Sequence, residues 1–172
     1  MIAAPEQRSV DPELATAVLV HLDAQISSAR RLLGSILAQG KAIRARDVEA
    51  VIQRLSDVKT EMSLRATLEE QRTDLLVRAG LALGVPAPNV TLEAMTMLMP
   101  APHAASARER SAELRGLLAE VAREHGINRA LMRQELAFLD HLVRLIGAEP
   151  DSGYGPGSDQ KPPTHRVVDA QA

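Results

Sequence analysis

The chain has no cysteine and no tryptophan, and its 172 residues include one phenylalanine and one tyrosine. Without cysteine there is no disulfide, no thiol nucleophile and no thiolate metal site, a composition that fits a reducing compartment. Without rings and without any alternating Ile, Thr, Tyr or Trp run there is no β-strand signal. Net charge is −2 and the arginines are spread among glutamates, so no clustered basic face exists for nucleic acid. No apolar run is long enough to span a bilayer. The stretch "MIAAPEQRSVDPELATAVLV" lacks a basic segment followed by an apolar one, so no secretory signal is expected and the protein reads as cytoplasmic.

What is present is aliphatic. Apolar residues make up 45% of the chain, chiefly Ala, Leu and Val, a composition suited to helix-on-helix packing in which rings are not required. The fold class expected is all-α: an antiparallel long-helix hairpin or three-helix bundle with a short helical insert and a disordered C-terminal tail. The boundaries expected are a helical domain over 1–147 and a flexible tail over 148–172.

The first helix begins at "SVDPEL", where Asp11 can cap, Pro12 suits the first helical position and Glu13 complements the dipole. Leu19, Leu22, Ile26, Ala29, Leu33 and Ile36 follow at three- and four-residue spacing, and Gly40 reads as the C-terminal cap. A second long helix runs from near Asp47 to Gly84, with Val48, Ile52, Leu55, Val58 and Met62 as its first stripe and a polar middle. Pro86, Pro88, Pro100 and Pro102 bracket a short segment that Asn89 or Thr91 can cap, bearing Leu92, Met95, Leu98 and Met99. Its methionines suit an irregular core gap or an adaptable surface. The last helix is expected from about Ser106 to Ile146, with a kink or break open at Gly126.

The residues do not assemble into a catalytic pattern. His21, His103, His125, His141 and His165 lack the Glu-x-x-His spacing of di-iron bundles and the His-Glu-x-x-His spacing of zinc enzymes; they read as surface histidines. No phosphate-binding glycine loop is found, and the glycines of "SGYGPG" do not lie between a strand and a helix. Glu135 falls inside an apolar stripe with no visible partner and reads as a polar register residue. The expectation is a non-enzymatic protein with no cofactor, no metal and no small-molecule substrate.

The last helix carries the informative surface. At about 100° per residue, Leu131, Glu135, Phe138, Leu142 and Leu145 form one arc, while Met132, Leu136, Leu139, Val143 and Ile146 extend it to nearly half the circumference. One intramolecular seam does not use all of that. The flank of Met132, Leu136, Leu139 and Val143 is available to another helix of the chain, to a second copy, or to an amphipathic helix from a partner.

The segment "LRGLLAEVAREHGINRALMRQELAFLDHL" resembles the C-terminal helix of the FlgN family of flagellar export chaperones. In that family a leucine-rich helix is followed by two asparagines three apart and by an aliphatic pair. Asn128 matches the second asparagine and Leu131–Met132 the pair, while His125 stands where the first asparagine is expected. "RTDLLVRAGLALGVPAPNVTLEAMTMLMP" is similar to the middle of family members. Tyr154, Gly155 and Gly157, then "SDQKPPTH" and "RVVDAQA", are similar to the tail. The resemblance implies a cytoplasmic chaperone of the flagellar type III export system. Its partners would be the C-terminal helices of hook–filament junction proteins, which are held from premature assembly and delivered to the export gate. Together with the flank read from helical angle, this gives a cargo-binding set of Asn128, Leu131, Met132, Leu136, Leu139 and Val143, and the resemblance implies that Tyr154 and Gly155 dock the gate. The alternative that composition leaves open is a structural coiled-coil or adaptor protein acting by self-association.

Overall fold

The computed structural model describes residues 11–147, and within them every long element is helical. Helix α1 spans Pro12–Ala45, α2 Val48–Leu83, α3 Leu92–Thr96 and α4 Ala101–Gly147, with a 3-10 turn at Ala87–Asn89 between α2 and α3. The chain divides into a unit up to Ala137 and one from Phe138 onward. The first contains α1, α2, α3 and most of α4; the described part of the second is the last turns of α4. The tail expected over 148–172, with Tyr154, Gly155 and His165, lies outside the described residues.

Local chemistry accounts for most helix ends. Asp11 Oδ1 accepts the Leu14 N–H at 2.9 Å and Pro12 follows at the first helical position. Asp47 Oδ1 accepts from Ala50 N at 2.9 Å, Thr91 Oγ1 from Ala94 N at 3.1 Å, and Gly84 closes α2 in the left-handed conformation with φ 69°. Each side-chain cap satisfies an N–H that the first turn would leave unpaired. Of the two residues expected to cap the short segment, Thr91 does so.

The end of α1 differs from the sequence expectation. The helix does not stop at Gly40 but continues to Ala45, and Arg46, with φ 56°, is the left-handed residue. Ala42 and Ile43 extend the buried face past Gly40, so packing carries the helix one turn further. The last helix also starts earlier than Ser106. Pro102 lies in its first turn, where a missing N–H costs no hydrogen bond. Gly126 does not break it; α4 is one helix of 47 residues.

In the first unit α1 and α2 run antiparallel: Gln25 pairs with Glu69 and Arg31 with Glu61. Helix α4 runs parallel to α1, with Arg110 on Asp23, Arg30 on Glu113, Asn128 on Ile36 and Gln39, and Arg46 on Glu135. One end of the unit holds an aliphatic core of Leu14, Ala15, Val18, Ala79, Val90, Met95, Leu98, Met99, Ala104 and Ala107. Met95 and Met99 are therefore gap fillers. Asp11 N donates to Leu98 O at 2.8 Å and ties the start of α1 to that core.

The stripe expected to bury the first half of α2 is turned outward. Val48, Ile52, Leu55 and Met62 are 54–70% exposed, while Val58 is half-buried. The half-buried side mixes Val51, Val58 and Leu68 with Arg54, Asp57 and Glu61. The reason lies on α1, which presents a fully buried Ser28 and the Arg31 guanidinium at that level. Glu61 takes the Arg31 Nε–H at 2.7 Å and the Ser28 hydroxyl at 3.5 Å. A buried hydroxyl and a cation select a carboxylate partner over an aliphatic one.

Candidate functional site

The end of α4 and one cleft are candidates. Asn128 is 1% exposed. Its Nδ2 donates to the Ile36 carbonyl at 2.8 Å and to Gln39 Oε1 at 3.2 Å. This expected cargo contact is thus an internal bond between α4 and α1. Leu131 and Met132 are half-buried, and Glu135 pairs with Arg46 at 3.5 Å, partly exposed.

Beyond these residues the apolar side chains open to solvent. Leu136 is 66% exposed, and in the second unit Leu139 and Val143 are 54% and 67% exposed. Phe138, Leu145 and Ile146 are exposed as well, so the uncovered surface includes two residues of the first arc, while Leu131, Glu135 and Leu142 of that arc are half-buried. Single exposed leucines are ordinary on soluble proteins; the run of Phe138, Leu139, Val143, Leu145 and Ile146 within the second unit is not. Tyr154 and Gly155, expected to dock the export gate, lie outside the described residues.

The cleft, of about 340 Å³, lies between α1, α2, the α3 region and α4. Apolar walls from Val18, Leu22, Leu76, Met95 and Leu118 are interrupted by His21, Arg65 and Glu69. His21 was expected on the surface but is half-buried, its Nδ1 enclosed without a hydrogen-bond partner. Burial holds its pKa below the ordinary imidazole value. The Arg72 charge acts in the same direction, while Glu69 and a Gln71 hydrogen bond oppose it. His103 is likewise half-buried with an enclosed, unpaired Nδ1, whereas His125 and His141 are exposed as expected. Among the described residues no three His, Cys, Asp or Glu side chains converge as a metal site would require.

Sequence reasoning missed two features. The outward stripe of α2 was visible as a pattern, but its exposure depends on what α1 offers it. The proximity of Gly40 to Asn128, 88 positions apart, has no local signal. No described helix is long and apolar enough to cross a membrane.

No curated protein and no solved structure matches the chain. The family model described as FlgN protein matches residues 14–162. That span takes in all three long helices, the α3 segment and the tail as far as Pro162. The chain therefore belongs to the FlgN family, the chaperones of flagellar protein export.

Proposed function

We propose that this chaperone binds the C-terminal helical segments of hook–filament junction proteins in the cytoplasm, masks their assembly surfaces and delivers them to the export gate. Family membership supports the partner class. The observation that carries the reading is the apolar run of the second unit, where Leu139 and Val143 are left 54% and 67% exposed; Leu136, at the end of the first unit, is 66% exposed. An amphipathic helix laid against it removes that surface from water, a common form of helix recognition.

The magnitude involved bears on how much surface the cargo needs. Covering the remaining exposed area of these three side chains is worth about 1–2 kcal/mol each. Association costs about 4–15 kcal/mol in lost freedom. The end of α4 alone does not offset that comfortably, so cargo reaches further apolar surface as well. Leu131 and Met132 contribute their uncovered parts. Asn128 enters indirectly, by holding α4 in place. Tyr154 and Gly155 are assigned to the gate, where a phenol offers large contact area at low entropic cost.

Calorimetric titration of the full chain with junction-protein C-terminal peptides tests the reading. Saturable 1:1 binding with a negative heat-capacity change supports apolar burial. A folded chain that binds no such peptide and instead forms a stable homodimer would favour the self-associating adaptor.

A further inference from the structure

Helix α2 carries Glu61, Arg65 and Glu69 four residues apart, a spacing at which arginine ordinarily pairs with a glutamate one turn away. Neither pair forms. Glu61 takes the Arg31 Nε–H at 2.7 Å and the Ser28 hydroxyl at 3.5 Å. Glu69 takes Arg72 Nη1 at 3.1 Å and the Gln25 amide at 3.4 Å. The Arg65 guanidinium is left with no ion pair and no hydrogen bond among the described residues, and its Nη1 is enclosed. An enclosed N–H without an acceptor has lost its water and gained nothing in exchange. Because nothing holds the guanidinium, it turns toward an incoming anion without breaking a bond.

Arg65 lines the cleft between α1, α2, the α3 region and α4, and so does His21, whose Nδ1 is likewise enclosed without a partner. The other ionised groups lining the cleft are Glu69 and Arg72. Those two pair with each other. One unmatched positive charge therefore remains, beside walls formed by Val18, Leu22, Leu76, Leu114 and Leu118. An apolar cavity with a few polar groups at its wall is the usual form of a small-molecule site.

We propose that this cleft binds a small amphiphilic monocarboxylate, with Arg65 pairing the carboxylate and the aliphatic walls covering the hydrocarbon chain. The site is separate from the surface assigned to cargo and does not rest on that assignment. Size argues for a free small molecule: the cleft is about 340 Å³, whereas a helix with its side chains is about 10 Å across. At roughly 30 Å³ per non-hydrogen atom the space takes on the order of ten of them, the size of octanoate. Charge argues for a carboxylate over a phosphate ester. The ester carries close to two negative charges at neutral pH, and Glu69 stands in the same cleft.

The test titrates the isotope-labelled full chain with octanoate, following backbone amide shifts by NMR, and repeats the titration with 1-octanol and with octylammonium. Shifts are expected at the residues that line the cleft, with octanoate at least tenfold tighter than either twin. Arg65→Gln should weaken octanoate at least tenfold and leave octanol unchanged. The melting temperature should be retained, because the guanidinium makes no bond to lose. Leu118→Phe, which fills the space, should weaken octanoate and octanol together. Octylammonium binding as tightly as octanoate overturns the proposal, since Glu69 and not Arg65 would then set the charge preference. Octanoate affinity equal to that of octanol, or unchanged by Arg65→Gln, overturns the carboxylate assignment. No binding, or shifts confined to the exposed faces of α2 and α4, overturns the site itself. None of these outcomes alters the titration with junction-protein segments, so the two readings fail separately.

Discussion

Asn128 and Gly40 meet where α4 lies along α1: a Cβ built on Gly40 would come within 2.6 Å of Asn128 Oδ1. The absent side chain leaves room for the amide to reach the Ile36 carbonyl and Gln39, both buried. A polar group buried to this degree is tolerated because it is hydrogen-bonded, and those bonds define one alignment of two parallel helices. From Arg129 to Ile146 no residue of α4 is fully buried.

Gly40→Ala should therefore destabilise the protein. Removing a mid-helix glycine gains about 1 kcal/mol, but forcing a methyl into a filled site costs typically 1–3 kcal/mol. Asn128→Ala should cost about 1–3 kcal/mol, since Gln39 loses its buried partner. In the double variant the added methyl no longer meets the amide, so the two effects should not add. Urea unfolding of all four proteins measures that coupling.

At the end of α2 two glycines four residues apart should behave differently. A Cβ on Gly80 would lie 2.7 Å from the Val85 carbonyl oxygen, backbone held by the Val85 N–H bond to Gly80 O at 3.0 Å. At Gly84 nothing lies within 4 Å, and only the left-handed φ of 69° resists substitution. Gly84→Ala should cost about 1–2 kcal/mol. Gly80→Ala should cost more, because backbone has to move. Equal melting shifts for the two variants would contradict this ranking.

Changing Leu136, Leu139 and Val143 to glutamine should leave stability within about 0.5 kcal/mol, as they are mostly exposed. Cargo-peptide affinity should fall at least tenfold. If Met132 is changed with them and binding persists in calorimetry, the assignment of this flank to cargo fails.

His21 makes stability depend on pH in one direction. Its folded pKa lies below the ordinary 6.5, so the unfolded chain takes up the proton first as pH falls. Its contribution is complete above about 6.5 and is lost as the pH drops through the folded pKa. Burial leads this effect and Arg72 adds to it, against the opposing Glu69 and Gln71. His21→Gln should flatten the fall in unfolding free energy below that pH, measured by denaturant titration at a series of pH values.

The helical class and most helix ends were legible in the sequence because their causes are local. Asp11, Asp47 and Thr91 each accept an N–H three residues ahead, and Gly84 adopts a conformation that few other residues tolerate. The wide apolar arc at the end of α4 was legible for the same reason, as a periodicity within one helix. Which faces are covered was decided only in the tertiary structure. The α2 stripe reads as an apolar face, yet Val48, Ile52, Leu55 and Met62 stand in solvent while Glu61 meets Ser28 and Arg31 at the seam. Gly40 reads as a helix end but marks the place where Asn128 enters, and Asn128 reads as a contact for a partner but is buried against α1. A cap needs only its own turn of helix, whereas the burial of a face depends on the chemistry that a distant segment brings to it.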